Sequence, residues 1–166
     1  AIGMATCILI LFWVRDELTF ERFHEKRDNI YRVLQSIRFS EVVTWAITQG
    51  PLAPALKEEI PEIEDAVRVV QTEWSIRYNN NTFVREGYHV DPSFLKMFTF
   101  PLVRGTPETV LSEPYSIVLT EEMAETLFGN EEPVGKTVRV NERGDCIVTG
   151  VIENVPGNSH LQFDFL

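Results

Sequence analysis

Residues 1–14 (AIGMATCILILFWV) hold no charged side chain, and every charge in the chain lies at or beyond Arg15. A membrane span takes roughly 20 apolar residues at 1.5 Å rise each. Fourteen fall short, but the run starts at residue 1, so the expectation is the C-terminal part of a transmembrane helix that begins upstream. Trp13 then stands just before the first charges, where interfacial aromatics belong. A buried core helix and a secretory signal segment are the rival readings of the run. The second is weakened because no basic stretch precedes it and no small-x-small cleavage site follows. The helical pattern carries on as a charged stalk from 15 to about 25, with Phe20 and Phe23 three apart on one side. Leu11, Phe12, Trp13, Arg15, Phe20 and Phe23 are the expected membrane anchor and coupling stalk.

Beyond the stalk the period changes. In residues 30–39, Tyr31, Val33, Ile37 and Phe39 alternate with Arg32, Ser36 and Arg38, the pattern of a half-buried strand. Gly50-Pro51 opens a helix in which Leu52, Ala55, Leu56 and Ile60 fall on one face, with Pro51 at its first position and Pro61 as its stop. Residues 66–71 and 74–78 read as two strands, and Asn79-Asn80-Asn81 turns the chain into a third over 83–90, since asparagine tolerates left-handed geometry. Asp91-Pro92-Ser93 starts a helical turn carrying Phe94, Leu95, Met97 and Phe98. After a polar loop over 105–114, residues 116–119 form a strand. Thr120 caps a helix with Glu121 and Glu122 in its first turn, and Gly129 ends it. Residues 138–140 and 146–152 make a last hairpin around 142–145. Strand-helix-strand, hairpin, strand-helix-strand, strand is an α+β domain of mixed sheets with βαβ units and hairpins. The apolar close at Asp164-Phe165-Leu166 suggests a domain that continues.

Composition narrows the partners. The chain is 44% hydrophobic, which fits one globular body over 15–166. Residues 15–32 balance five basic side chains (Arg15, Arg22, Lys26, Arg27, Arg32) against five acidic ones (Asp16, Glu17, Glu21, Glu25, Asp28). A cytoplasmic flank usually carries a Lys/Arg excess, so the expected side is extracytoplasmic. The net charge of −10 repels phosphate backbones, and nucleic acid is not a partner to expect. Cys7 and Cys146 leave the redox compartment open.

Catalytic and cofactor signals are absent from this reading. The nearest nucleotide motif, Gly129-Asn130-Glu131-Glu132-Pro133-Val134-Gly135-Lys136-Thr137, has five residues between its glycines where a P-loop has four. It carries two glutamates that would repel phosphate, and it leads into a strand instead of a helix. It is read as a turn. His24, His89 and His160 lack helical metal-ligand spacing and there is no CxxC, so no metal is expected and the histidines are read as turn or surface residues. Ser112, Ser116 and Ser159 lack a nucleophile elbow. The carboxylates Glu58, Glu59, Glu62, Glu64 and Asp65 read as a solvated helix end. No enzyme and no cofactor are expected.

Several segments together resemble one family. Trp13-Val14-Arg15-Asp16-Glu17-Leu18, Phe20-Glu21-Arg22-Phe23-His24 and Asp28-Asn29-Ile30-Tyr31-Arg32-Val33 look like the first-helix exit of MacB/FtsX-type ABC transporter permeases, in a Bacteroidetes-like form. Val90-Asp91-Pro92-Ser93-Phe94 with Phe98-Thr99-Phe100-Pro101-Leu102 and Gly105 is similar to a second stretch of that family. A third is Val118-Leu119-Thr120-Glu121, Leu127-Phe128-Gly129 and Pro133-Val134-Gly135-Lys136. Val151-Ile152-Glu153-Asn154-Val155-Pro156 with Asn158-Ser159-His160 and Phe163-Asp164 completes the series, in the family's order.

The resemblance implies a periplasmic core domain lying between the first and second of four membrane spans in the bacterial inner membrane. It further implies a permease homodimer or heterodimer, a cytoplasmic ATP-binding subunit and a periplasmic or outer-membrane partner. ATP-driven motion would be passed to efflux, lipoprotein release or cell-wall control. Family domains usually run longer and hold two subdomains, so this chain would cover the first part. The alternative is a membrane-anchored sensor or ligand-binding ectodomain, which has one further span leading to a signalling helix where a permease has three.

Overall fold

The computed structural model describes residues 2–38, 42–141 and 144–166. Helix α1 (Ile2–Thr19) contains the apolar run, and no helix among the described residues is long and apolar enough to cross a membrane. The helix stops six residues short of the expected Glu25. Glu21 adopts left-handed backbone (φ 58°), which a right-handed helix cannot absorb. A short 3-10 turn at Arg27–Asn29 follows.

Strands β1 (Gln35–Arg38) and β2 (Val42–Trp45) pair antiparallel as a separate two-stranded sheet, Gln35 opposite Trp45 and Arg38 opposite Val42. The strand expected over 30–39 is thus four residues long, with Phe39 outside the described residues. Tyr31, read as inward, is 82% exposed. Alternation marks one face for burial, but among the described residues no second layer buries that face. β2 escaped sequence reading because Val42, Val43 and Trp45 are all exposed and do not alternate. Helix α2 (Leu52–Glu59) follows, with Pro51 at its N-cap instead of its first helical position.

The body is a six-stranded mixed sheet. Strand β3 (Val69–Tyr78) pairs without interruption with β4 (Asn81–Val90) through all ten positions. The two strands expected over 66–71 and 74–78 are therefore one. Thr72 and Glu73 looked like a break, yet they lie on an outer hairpin where polar side chains meet solvent. Asn79 supplies the turn with φ 52°. Then come α3 (Phe94–Met97), β5 (Leu102–Arg104), β6 (Ser116–Thr120), α4 (Glu121–Phe128), β7 (Thr137–Val140) and β8 (Gly144–Ile152). The hairpin tip at 142–143 lies outside the described residues.

The order along the sheet is β4-β3-β7-β8-β5, with β6 parallel to β8. The first strand-helix-strand unit does not share a sheet, since β1 and β3 belong to different ones. The second does, with α4 and β7 lying between the parallel strands β6 and β8. The last residues then close the path. Leu166 exchanges backbone bonds with Val118, Thr120 N–H donates to Asp164 C=O, and Asp164 N–H and Phe165 C=O bond to Glu86 and Tyr88 of β4. Gly87 permits this approach: a Cβ there would stand 2.5 Å from the Phe165 carbonyl oxygen.

Two core clusters occupy the body. Ile117 and Leu119 of β6 join Ile76, Val138, Val148 and Phe165 under the α4 residues Met123, Leu127 and Phe128. Val118, between them, joins Phe94, Phe100, Ile152, Leu161 and Phe163 in the second. A strand buried on both sides reads as a continuous apolar run, as Ile117-Val118-Leu119 does. Each of these large side chains stabilises the fold by about 1.5–3 kcal/mol. Thr120 caps α4 by accepting Met123 N–H at 3.3 Å, worth about 1 kcal/mol. Asn154 holds the next donor, Glu122 N–H, at 2.9 Å.

Candidate functional site: the joint between the first helix and the body

Every described residue of α1 from 3 to 18 is exposed, and the helix meets the body at its C-terminal end. There the chain must turn sharply, and the donors and acceptors freed by the helix end need partners. Asn158 supplies two. Its side-chain amide donates to Thr19 C=O at 2.9 Å, and its carbonyl accepts Glu21 N–H at 3.0 Å. A left-handed non-glycine residue costs about 1–3 kcal/mol and persists where its surroundings over-determine it. Glu21 meets that condition. Its Oε1 accepts His160 N–H at 2.5 Å and lies 2.8 Å from His160 Nδ1, while Oε2 lies 2.9 Å from His24 Nε2.

His24 is the keystone of the turn. It is 4% exposed, and before Ile76 no other described residue is buried. Its Nδ1 accepts Thr99 N–H at 3.0 Å, which places the ring proton on Nε2, facing Glu21. The Nε2–Oε2 pair is within ion-pair distance but misaligned, so this N–H makes no well-formed hydrogen bond. The ring packs against Phe23, Phe98 and Phe100 with centroids 4.0, 5.3 and 5.3 Å away. Glu25 N–H donates to Thr99 Oγ1 at 3.0 Å. Two body segments, 98–100 and 156–160, thus grip the helix exit.

Electrostatics follow from this packing. Burial pushes the His24 imidazole below its ordinary value, against the pull of Glu21 in the other direction. For Glu21, burial pushes the carboxyl up, but the backbone and ring of His160, with His24, outweigh it and leave the group below its usual range.

The six residues expected to anchor and couple the helix are not gathered in one place. Leu11, Phe12, Trp13 and Arg15 are exposed along α1, and Phe20 is 42% exposed in the turn. Phe23 packs onto the second core cluster, with its ring 5.8 Å from that of Phe100. Glu21, His24, Thr99, Asn158 and His160 were not singled out as joint residues. All five stand in the family-like segments, but Thr19 and Asn158 are 139 positions apart, as are Glu21 and His160, and no spacing rule joins such pairs.

Other candidates resolve locally. Lys136 of the P-loop-like stretch pairs with Glu131 and lies over the Tyr78 and Phe128 rings, 5.4 and 5.0 Å from their centroids. Asp91 accepts Arg68 N–H at 2.8 Å and pairs with its guanidinium at 2.6 Å, which holds the Asp91 carboxyl below its ordinary value. Among the described residues no cluster of three or more His, Cys, Asp or Glu side chains is arranged to hold a metal ion. An open groove brings Glu73, Glu86, Glu122 and Asp164 around Arg85, whose Nε is 3.4 Å from Asp164.

A family model described as MacB-like periplasmic core domain matches residues 1–166. Among solved structures, a domain from Porphyromonas gingivalis described as belonging to a permease is similar at 29% identity and a TM-score of 0.67, over 76% of this chain and 54% of that one. The periplasmic region of MacB from Actinobacillus actinomycetemcomitans is 25% identical with a TM-score of 0.52, over 61% of this chain and 48% of that one. The extracellular domain of the noncanonic ABC-type transporter YknZ from Gram-positive bacteria shares the fold at 19% identity and a TM-score of 0.56, over 71% of this chain and 60% of that one. This chain matches about half to three-fifths of the length of these structures. No curated protein matches it.

Proposed function

Because the chain belongs to the MacB-like periplasmic core domain family, we propose that it is the part of an ABC transporter permease that receives motion from a membrane helix and carries it into the periplasm. In this reading residues 1–14 are the end of a transmembrane helix in the bacterial inner membrane, and residues 15–166 stand outside it. A cytoplasmic ATP-binding subunit drives the motion, and the permease works as a homodimer or heterodimer. Efflux or lipoprotein release through a periplasmic or outer-membrane partner is the output.

The observation that carries the proposal is the contrast along α1. Its apolar side chains are exposed from Met4 to Val14, whereas its exit is pinned by Asn158, His160 and Thr99. An all-round apolar surface suits a bilayer, and a pinned exit suits a rod that must move the body with it. Leu11, Phe12, Trp13 and Arg15 would set the helix in the interface, and Phe20 and Phe23 would continue it into the joint.

The test is a flexible Gly/Ser insertion between Leu18 and Thr19 in the full-length permease assembled with its ATP-binding subunit. Transport and its coupling to ATP hydrolysis should be lost while the body stays folded. Unchanged coupling would refute a mechanical link. An insertion after Lys26 is a weaker probe, because the contacts to Asn158, His160 and Thr99 all precede it.

A further inference from the structure

The joint carries chemistry that holding a helix in place does not require. A hydrophobic plug could fill the space of His24, yet the residue there is one whose ring nitrogen accepts a backbone N–H and can instead take up a proton. We propose that the joint is a proton-sensitive latch: a second proton on His24 enters at Nδ1, removes the acceptor used by Thr99 N–H, and loosens the 20–25 turn from the 98–100 segment, leaving the Glu25 N–H bond to Thr99 Oγ1, while Glu21 stays clipped to His160.

The geometry sets the order of events. Nε2 already bears a proton toward Glu21, so Nδ1 is the site left for the next one. Once protonated, Nδ1–H and Thr99 N–H would point at each other. The titratable groups facing the ring are Glu21 from its own turn and His160 from the 156–160 loop. From the 94–100 segment it meets the Thr99 amide and the Phe98 and Phe100 rings, with Lys96 exposed beyond them. Glu25, Lys26 and Arg27 are likewise exposed.

Glu21 attracts an imidazolium and so opposes opening, whereas burial among three aromatic rings opposes the charge. Burial is the larger influence on His24. The Glu21–His160 clip includes the His160 backbone N–H, which does not titrate, so that clip survives mild acid. The latch therefore opens in two stages, Thr99 first.

The experiment follows amide hydrogen exchange at Thr99 and His160 in the full 166-residue chain, held in detergent, from pH 7.5 to 5.5. Rates are corrected for their intrinsic pH dependence. Protection at Thr99 should fall by up to about tenfold per pH unit below about 6.5, the slope of a one-proton linkage, while His160 keeps its protection. In His24→Asn, whose Oδ1 stands where Nδ1 was, Thr99 should stay protected at every pH. In His24→Phe it should be unprotected at every pH, with Val118 and Thr120 amides reporting an intact body. Ring nitrogen shifts of the unmodified protein give a readout free of mutation, and the Nε2–H tautomer is expected at pH 7.5. A flat Thr99 profile, an unchanged slope in His24→Asn, or the opposite tautomer would overturn the latch. The latch rests on the proposed coupling role only for its consequence in transport. Loss of Thr99 protection without any change in coupling would count against that role and leave the latch standing.

Discussion

The first 68 residues and the last 98 are built on different terms. From Val69 onward the chain forms one sheet with two apolar clusters, and its strands are buried on one or both faces. Before Val69 it forms a helix, a two-stranded hairpin and a short helix, and among the described residues His24 is the one that is buried. The body is held by apolar area, which is non-directional and tolerant. The joint is held by a few directed bonds, which can be made and broken singly. Motion is therefore expected at the second kind of contact and rigidity within the first.

The largest test of that contrast is Phe165→Ala. The ring stacks on Trp74 at 5.0 Å and is fully buried where the last residues bridge β4 and β6. Its loss should lower the unfolding free energy by about 3–5 kcal/mol in chemical denaturation. Gly87→Ala attacks the same closure from the other side, because its Cβ would stand 2.5 Å from the Phe165 carbonyl. A loss of about 1–3 kcal/mol is expected by the same measurement.

Asn158→Ala removes the side-chain donor to Thr19 C=O but keeps the backbone carbonyl that accepts Glu21 N–H, so it should cost about 1 kcal/mol and leave the amides of β3, β6 and β8 protected. If the whole body loosened with it, the joint would be part of the core and the contrast would fail. Acid should act on the joint by the same logic. Both Glu21 and His24 sit below their ordinary values, so each favours the folded joint in its deprotonated form. The His24 contribution is complete above about pH 6.5 and fades as pH falls from there, and the Glu21 contribution is complete above about 4.5 and fades below it. A stability profile against pH in detergent checks this, and rising stability on acidification between 6.5 and 5 would contradict it. The smallest effect is expected from Trp13→Ala and Trp45→Ser. Both side chains are at least half exposed, and the body's unfolding free energy should stay within about 0.5 kcal/mol.

The sequence by itself determined the body's elements wherever a local rule was sufficient. Thr120, the apolar face of Met123, Ala124, Leu127 and Phe128, and Gly129 mark α4 because capping and helical period act within a few residues. Asn79 marks the hairpin for the same reason. The apolar run to Val14 was legible as a helix, and the order of family-like segments identified the family. Tertiary structure alone decided whether an amphipathic stretch found a partner layer. Residues 69–78 became one strand because β4 runs beside their whole length, and Tyr31 stayed exposed because no other described residue covers it. It also decided the site. Glu21, His24, Thr99, Asn158 and His160 become one joint only when segments up to 139 residues apart are packed together. A hydrogen bond has no reach along the chain, so sequence spacing carries no mark of it.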